Sequence, residues 1–329
     1  MSRGAVLVTA DSQTASASRP VVLFVLGMAR SGTSATARVL SLCGGALPEG
    51  MLGAMRDNPL GHWESRATLQ LNDKLLQRNN SGWYDPTIRL QEKGEFEGKE
   101  YAACITEIRA FLATLPAAPL VVLKDPKITV LSGMWFEAAR LSGFDVATVI
   151  AVRHPQEVVA SITAPGGISA ELSSALWLKY TLLAERGTRA VPRVFVEYAN
   201  LLNDWRREVK RISAALAIDL DAQDESAIEE FLTPNLHRQR HQGPVIEPFG
   251  TSWFSTVYED MRAAARDEPW EQSALDLIFD GYRASERTFR AASADFRRLR
   301  RVNRLLRPSI TKLNYEVRAM VNRRRGTWA

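Results

Sequence analysis

PVVLFVLGMARSGTSATARVLSLC, residues 20–43, reads as a strand, a glycine turn and a helix. Residues 20–27 are a continuous apolar, β-branched run, the pattern of a strand buried on both faces. Residues 33–43 follow with apolar positions at helical spacing. The same unit recurs in PLVVLK (119–124), followed by a helical stretch to Arg140, and in VATVIAVR (146–153), followed by a helix from Pro155. A weaker copy is RVFVEY (193–198) with a helix from about Asn200 to Leu216. Buried strands separated by helices predict an α/β fold, a parallel β-sheet flanked by helices on both faces, with ligands at the carboxyl ends of the strands. After about residue 218 the pattern is helical and irregular, which predicts a helical C-terminal elaboration on one domain.

The turn after the first strand has the parts of a phosphate cradle. Gly27 and Gly32 let the backbone bring its amides close to an anion, and Ser31, Thr33 and Ser34 add hydroxyls at the positive end of a helix. Gly27-x-x-x-x-Gly32 matches the first half of the nucleotide-hydrolase loop. Thr33, however, stands where that loop needs lysine, and the cation has moved inside the loop as Arg30.

A second element, AVRHPQEVVAS (151–161), ends a buried strand with Arg153 and places Pro155 where a first helical residue belongs. Ser161 lies in the following helix. An arginine fork and a hydroxyl suit a second phosphate.

Together, strand-GxxRSGTS-helix and strand-RxPxxxxxS resemble the sulfotransferases that use 3′-phosphoadenosine 5′-phosphosulfate, over about residues 20–217. The resemblance implies a P-loop-like nucleotide-binding fold. It also implies that Arg30, Ser31, Gly32, Thr33 and Ser34 hold the 5′-phosphosulfate and that Arg153 and Ser161 hold the 3′-phosphate. An arginine in the loop is similar to the protein-tyrosine and bacterial branches; a clear RKGxxG segment of the soluble animal enzymes is absent. The product would be adenosine 3′,5′-bisphosphate. The motif requires no metal, because a sulfuryl group carries less charge than a γ-phosphate.

Such a transfer needs a base for the acceptor's proton. DNPLGHWES (57–65) resembles the NPxGxWE segment of bacterial sulfotransferases, with a turn at Asn58, Pro59 and Gly61 that presents Trp63 and Glu64 at the cleft. Glu64 is the favoured base and Glu49 its rival; His62 is the third candidate. Lys124, at the end of the next strand, either binds the sulfuryl oxygens or pairs with Asp125 to hold the strand end. The loops 80–90 and 237–254 are rich in aromatic and turn residues, so Trp83, Tyr84, Phe249, Trp253 and Phe254 are candidates for an acceptor pocket, whereas Trp177 and Tyr180 read as core.

The 329 residues, 46% hydrophobic and 24% charged, suffice for a sizeable core. Cys43 and Cys104 make neither a disulfide framework nor a zinc site. The apolar stretch near the N-terminus is too short for a secretory signal, and no apolar run reaches membrane-spanning length. These features predict a cytoplasmic protein with a loose tail over 1–19, a domain over 20–295 and a basic tail over 296–329. The last segment holds eleven of the 42 Lys and Arg but only one of the 37 Asp and Glu. Leu299, Val302 and Leu306, then Leu313, Val317 and Met320, recur there at helical spacing on either side of Pro308. That pattern fits peripheral contact with the anionic inner membrane surface, docking on the body of the protein, or nucleic acid; no nucleic-acid domain motif supports the last.

The resulting expectation is sulfuryl transfer to a hydroxyl of a glycan, glycolipid or other small acceptor. A small-molecule kinase and a non-catalytic nucleotide-binding protein are the alternatives.

Overall fold

A computed structural model describes residues 19–305 other than 56–57, 93, 95–97, 165–166, 234–239 and 242, together with isolated positions 313, 317 and 320; side chains are described through 298 and at those three positions. The chain divides into two compact units, Met1–Pro86 with Lys93–Glu271, and Thr87–Glu92 with Gln272–Ala329.

The first unit runs β1 (Val21–Leu26), α1 (Thr33–Leu42), α2 (Arg66–Arg78), α3 (Lys99–Leu112), β2 (Leu120–Lys124), α4 (Pro126–Val130), α5 (Ser132–Leu141) and β3 (Asp145–Val152). It continues through α6 (Pro155–Thr163), α7 (Ala170–Gly187), β4 (Arg193–Glu197), α8 (Tyr198–Asn203), α9 (Trp205–Leu216), α10 (Glu225–Phe231) and α11 (Trp253–Ala264). Among the described residues the four strands form one parallel sheet in the order β2-β1-β3-β4. Parallel neighbours force helical crossovers onto both faces, which is why the strands are apolar without alternation. Leu23 and Val25 of β1 pack into a cluster with Val39 and Leu40 of α1 and Val209 and Ile212 of α9. Phe24, pointing the other way, meets the rings of Trp135 and Phe136 of α5 at 6.1 and 5.3 Å.

Two expected helices are each broken in two, and in one of them a single side chain gives the reason. Asp204 takes non-helical backbone and accepts a hydrogen bond from the Arg207 amide, so it ends α8 and caps α9. The stretch after β2 changes helix at Leu131. Asp125 caps its first segment by accepting from the Lys127 amide at 3.0 Å, with Pro126 at the first helical position.

The second unit holds a short helical turn, Arg89–Gln91, and α12 (Gln272–Leu305). Leu275, Ile278 and Tyr282 of α12 are buried, and Arg290 pairs with Glu92 at 2.8 Å. Among the described residues no helix is long and apolar enough to cross a membrane.

Candidate active site

The carboxyl ends of all four strands converge on one cavity of about 540 Å³. β1 delivers the loop 27–32, β2 ends in Lys124 and Asp125, β3 is followed by Arg153, and β4 by Tyr198. Each of these residues follows a buried strand, so its backbone is held on one side by the sheet.

The loop's conformation explains its glycines. Gly32 has φ +95°, and a Cβ there would stand 2.4 Å from the Tyr198 ring, so no other residue fits without displacing that ring. The Gly27 amide donates to Thr129 Oγ1 at 3.0 Å, which ties the start of the loop to α4. Arg30 is left-handed at φ 71°, a conformation uncommon outside glycine. Its carbonyl accepts from Arg153 Nη1 at 2.9 Å, and its Nε donates to Ser161 Oγ at 2.9 Å. The structure therefore joins the two motifs directly: the arginine of the first loop touches both the arginine and the serine of the second. Arg153 is itself buried, bonded through Nε to Glu157 at 2.8 Å and stacked over the Tyr198 ring at 4.6 Å. Glu157 commits its other oxygen to the His241 amide at 2.9 Å.

Glu64 and Lys124 form a second buried group. The Lys124 ammonium donates to Glu64 Oε1, to Ser34 Oγ at 3.1 Å and to the His62 carbonyl at 3.1 Å, so its three protons have three acceptors. Ser34 donates in turn to the His62 carbonyl at 3.0 Å. The ion-pair partner of Lys124 is Glu64.

Arg30, Gly32, Thr33, Ser34, Glu64, Lys124, Arg153 and Ser161 all line the cavity, and so does His62. Ser31 is buried beside it, with its amide donating to the Met28 carbonyl at 3.1 Å. Glu49 is exposed and lies outside the lining; its carbonyl accepts from Ser65 Oγ at 3.3 Å. Of the acceptor candidates, Trp83 lines the cavity, while Phe254 is fully buried and stacks on Trp177 at 5.2 Å. Trp63 is not among the residues that line the cavity, against the expectation for the NPxGxWE turn. Its indole donates to the Leu60 carbonyl at 3.0 Å, and Arg38 covers the ring at 4.3 Å.

Sequence reasoning missed Asn72, Glu157 and Tyr198. Glu157 carries the one local signal, its four-residue spacing from Arg153.

Asp125 is fully buried, accepting from Asn72 Nδ2 at 2.8 Å and from the Lys127 amide. Burial pushes its carboxyl up to about 6, against the opposing pull of Lys127 and the Asn72 hydrogen bond. Folding therefore favours the protonated form. This contribution to stability is fully present below the ordinary Asp range and is lost as pH rises to about 6. Asp125→Asn removes the titration, so denaturant unfolding should show the variant gaining on the parent by about 2 kcal/mol between about pH 4 and pH 7. A stability difference that stays constant across that window would show that Asp125 does not titrate there.

The chain matches no family model and no curated protein. Solved structures similar to it include the sulfotransferase domain of the Synechococcus PCC 7002 olefin synthase, at 17% identity and TM-score 0.38 over 73% of this chain and 94% of that one. A sulfotransferase domain from the curacin biosynthetic pathway is 14% identical, with TM-score 0.40, over 77% of this chain and 100% of that one. A sulfotransferase of Mycobacterium tuberculosis H37Rv is 16% identical, with TM-score 0.33, over 66% of this chain and 72% of that one. These likenesses are distant, and the functional reading below rests on the cavity's own residues.

Proposed function

We propose that this chain is a sulfotransferase that moves a sulfuryl group from 3′-phosphoadenosine 5′-phosphosulfate to an acceptor hydroxyl. The observation that carries the reading is the direct contact of two anion-binding elements, Arg30 with Ser161 and Arg153 with the Arg30 carbonyl, at the mouth of adjacent strands. A donor with phosphates at both ends of one nucleoside needs two such seats a short distance apart.

The residues fit that donor chemically. The start of α1 at Thr33 offers an anion the positive end of the helix dipole. The donor supplies a sulfur–oxygen bond whose cleavage leaves negative charge on the departing phosphate. In this reading Arg30 meets that charge from the loop, in the cavity that Ser34 and Lys124 also line. Glu64, as a carboxylate, accepts the acceptor's proton, and Lys124 fixes its orientation. Leu52, Leu60, Leu69, Trp83 and Ile168 line the remaining wall, which favours an acceptor with an apolar body, such as a glycolipid, over a bare sugar.

Calorimetry tests the donor assignment. The protein should bind adenosine 3′,5′-bisphosphate far more tightly than AMP. Arg153→Ala should shrink that gap by ~1.5–3 kcal/mol, the cost of losing a charged hydrogen-bond partner in a buried site. Equal affinities for the two nucleotides in the parent protein would overturn the proposal.

A further inference from the structure

The long C-terminal helix presents an apolar seam that the catalytic reading does not use. α12 spans 34 residues, longer than helices of globular domains usually run. From Ala291 to Arg298 every described side chain is exposed. Phe289, just before that stretch, and Phe296, within it, are 74% and 63% exposed, seven residues apart and so on one face. Two phenylalanines in water leave a sizeable apolar area uncovered.

The sequence continues that spacing. With Phe289 and Phe296 at position a of a heptad, Asn303, Ile310 and Val317 follow at a. Ala292, Leu299, Leu306, Leu313 and Met320 fall at d. At the positions described beyond α12, Leu313, Val317 and Met320 are helical and 62%, 48% and 57% exposed. Pro308 falls at f, outside the seam, and lies outside the described residues.

We propose that this seam pairs with the same seam of a second copy of the chain as a parallel two-stranded coiled coil. Three features select that occupant. From 289 to 299 the large apolar residues fall only at a and d, with Val302 at g and Leu305 at c off the seam beyond them; that is the narrow stripe of a coiled coil rather than the broad face of a helix lying in lipid. Asn303 is a polar residue at a single a position, the device that sets register and strand number. Asp295 occupies g and Arg300 the next e, so parallel, in-register pairing sets Asp295 opposite Arg300 of the second copy. Antiparallel pairing would set like charges together at these positions. Arg297, Arg298, Arg301 and Arg304 fall at b, c and f, outside the seam.

The charge also fixes the salt dependence. Pairing brings two strongly basic helices side by side, and salt screens their repulsion over a Debye length of about 10 Å at 0.1 M. Association should therefore strengthen with salt, whereas binding to an anionic lipid surface weakens with it.

Sedimentation velocity on the full-length protein, across concentration and at low and high salt, should show a monomer–dimer equilibrium that shifts toward dimer as salt rises. Phe296→Asp should weaken dimerisation by more than about tenfold. Phe296→Cys should form a disulfide with itself on oxidation, while Ala294→Cys, at the outward f position, should not; Cys43 and Cys104 are buried and give no background. A monomer at every salt concentration, or equal cross-linking at the two positions, would overturn the proposal. So would a monomer that sediments with phosphatidylserine vesicles and is released by salt, since the seam would then belong to lipid.

Discussion

Glu64→Gln should lower turnover by about 10²–10⁴-fold while the protein still binds adenosine 3′,5′-bisphosphate. Glutamine keeps the shape of the side chain and removes its ability to take a proton. The substitution also leaves the Lys124 ammonium buried without its carboxylate, a stability cost separable from the catalytic one. The double variant Glu64→Gln/Lys124→Met removes both charges, so it should regain melting temperature over the single variant without regaining turnover. If turnover of Glu64→Gln stays near that of the parent, Glu64 is not the base; Glu49, exposed and outside the cavity, would have to be carried in by a rearrangement of residues 49–52.

Arg30→Ala should lower turnover by about 10²–10³-fold, the cost typical of removing one donor to a developing charge. Affinity for the bisphosphate product should fall less than tenfold, because the charge that Arg30 meets appears in full only as the sulfuryl group leaves. Comparing single-turnover rates with calorimetric affinities separates the two effects. Equal losses in both would make Arg30 a binding residue and shift the catalytic burden to Lys124.

What could be read from the chain was what is local to it. The four apolar runs mark the strands to within about a residue, since a parallel sheet buried on both faces leaves no other use for VVLFVL or DVATVIAV. The loop at 27–34 and Arg153 with Ser161 were legible because each motif is a strand end plus the first turns of one helix. What was not legible depends on segments far apart in the chain. Nothing near Asn72 announces that its amide holds Asp125 while its carbonyl accepts from the Trp135 indole. Tyr198 looks like the last residue of an apolar strand, and only the fold sets its ring against Gly32 and under Arg153. Trp63 misled for the same reason. The turn at Asn58 and Gly61 forms as its residues suggest, but the indole lies against Arg38 of α1 and outside the cavity lining.

Lys124 is a tripod. Its one ammonium joins the end of β2 to the first turn of α1, to the backbone at His62 and to the Glu64 carboxylate. An arginine could not take its place: a flat fork cannot direct protons along three diverging lines from a single buried nitrogen. Glu64 and the start of the helix against which the anion would rest therefore share one ammonium, so a substitution that removes it withdraws a hydrogen bond from both at once.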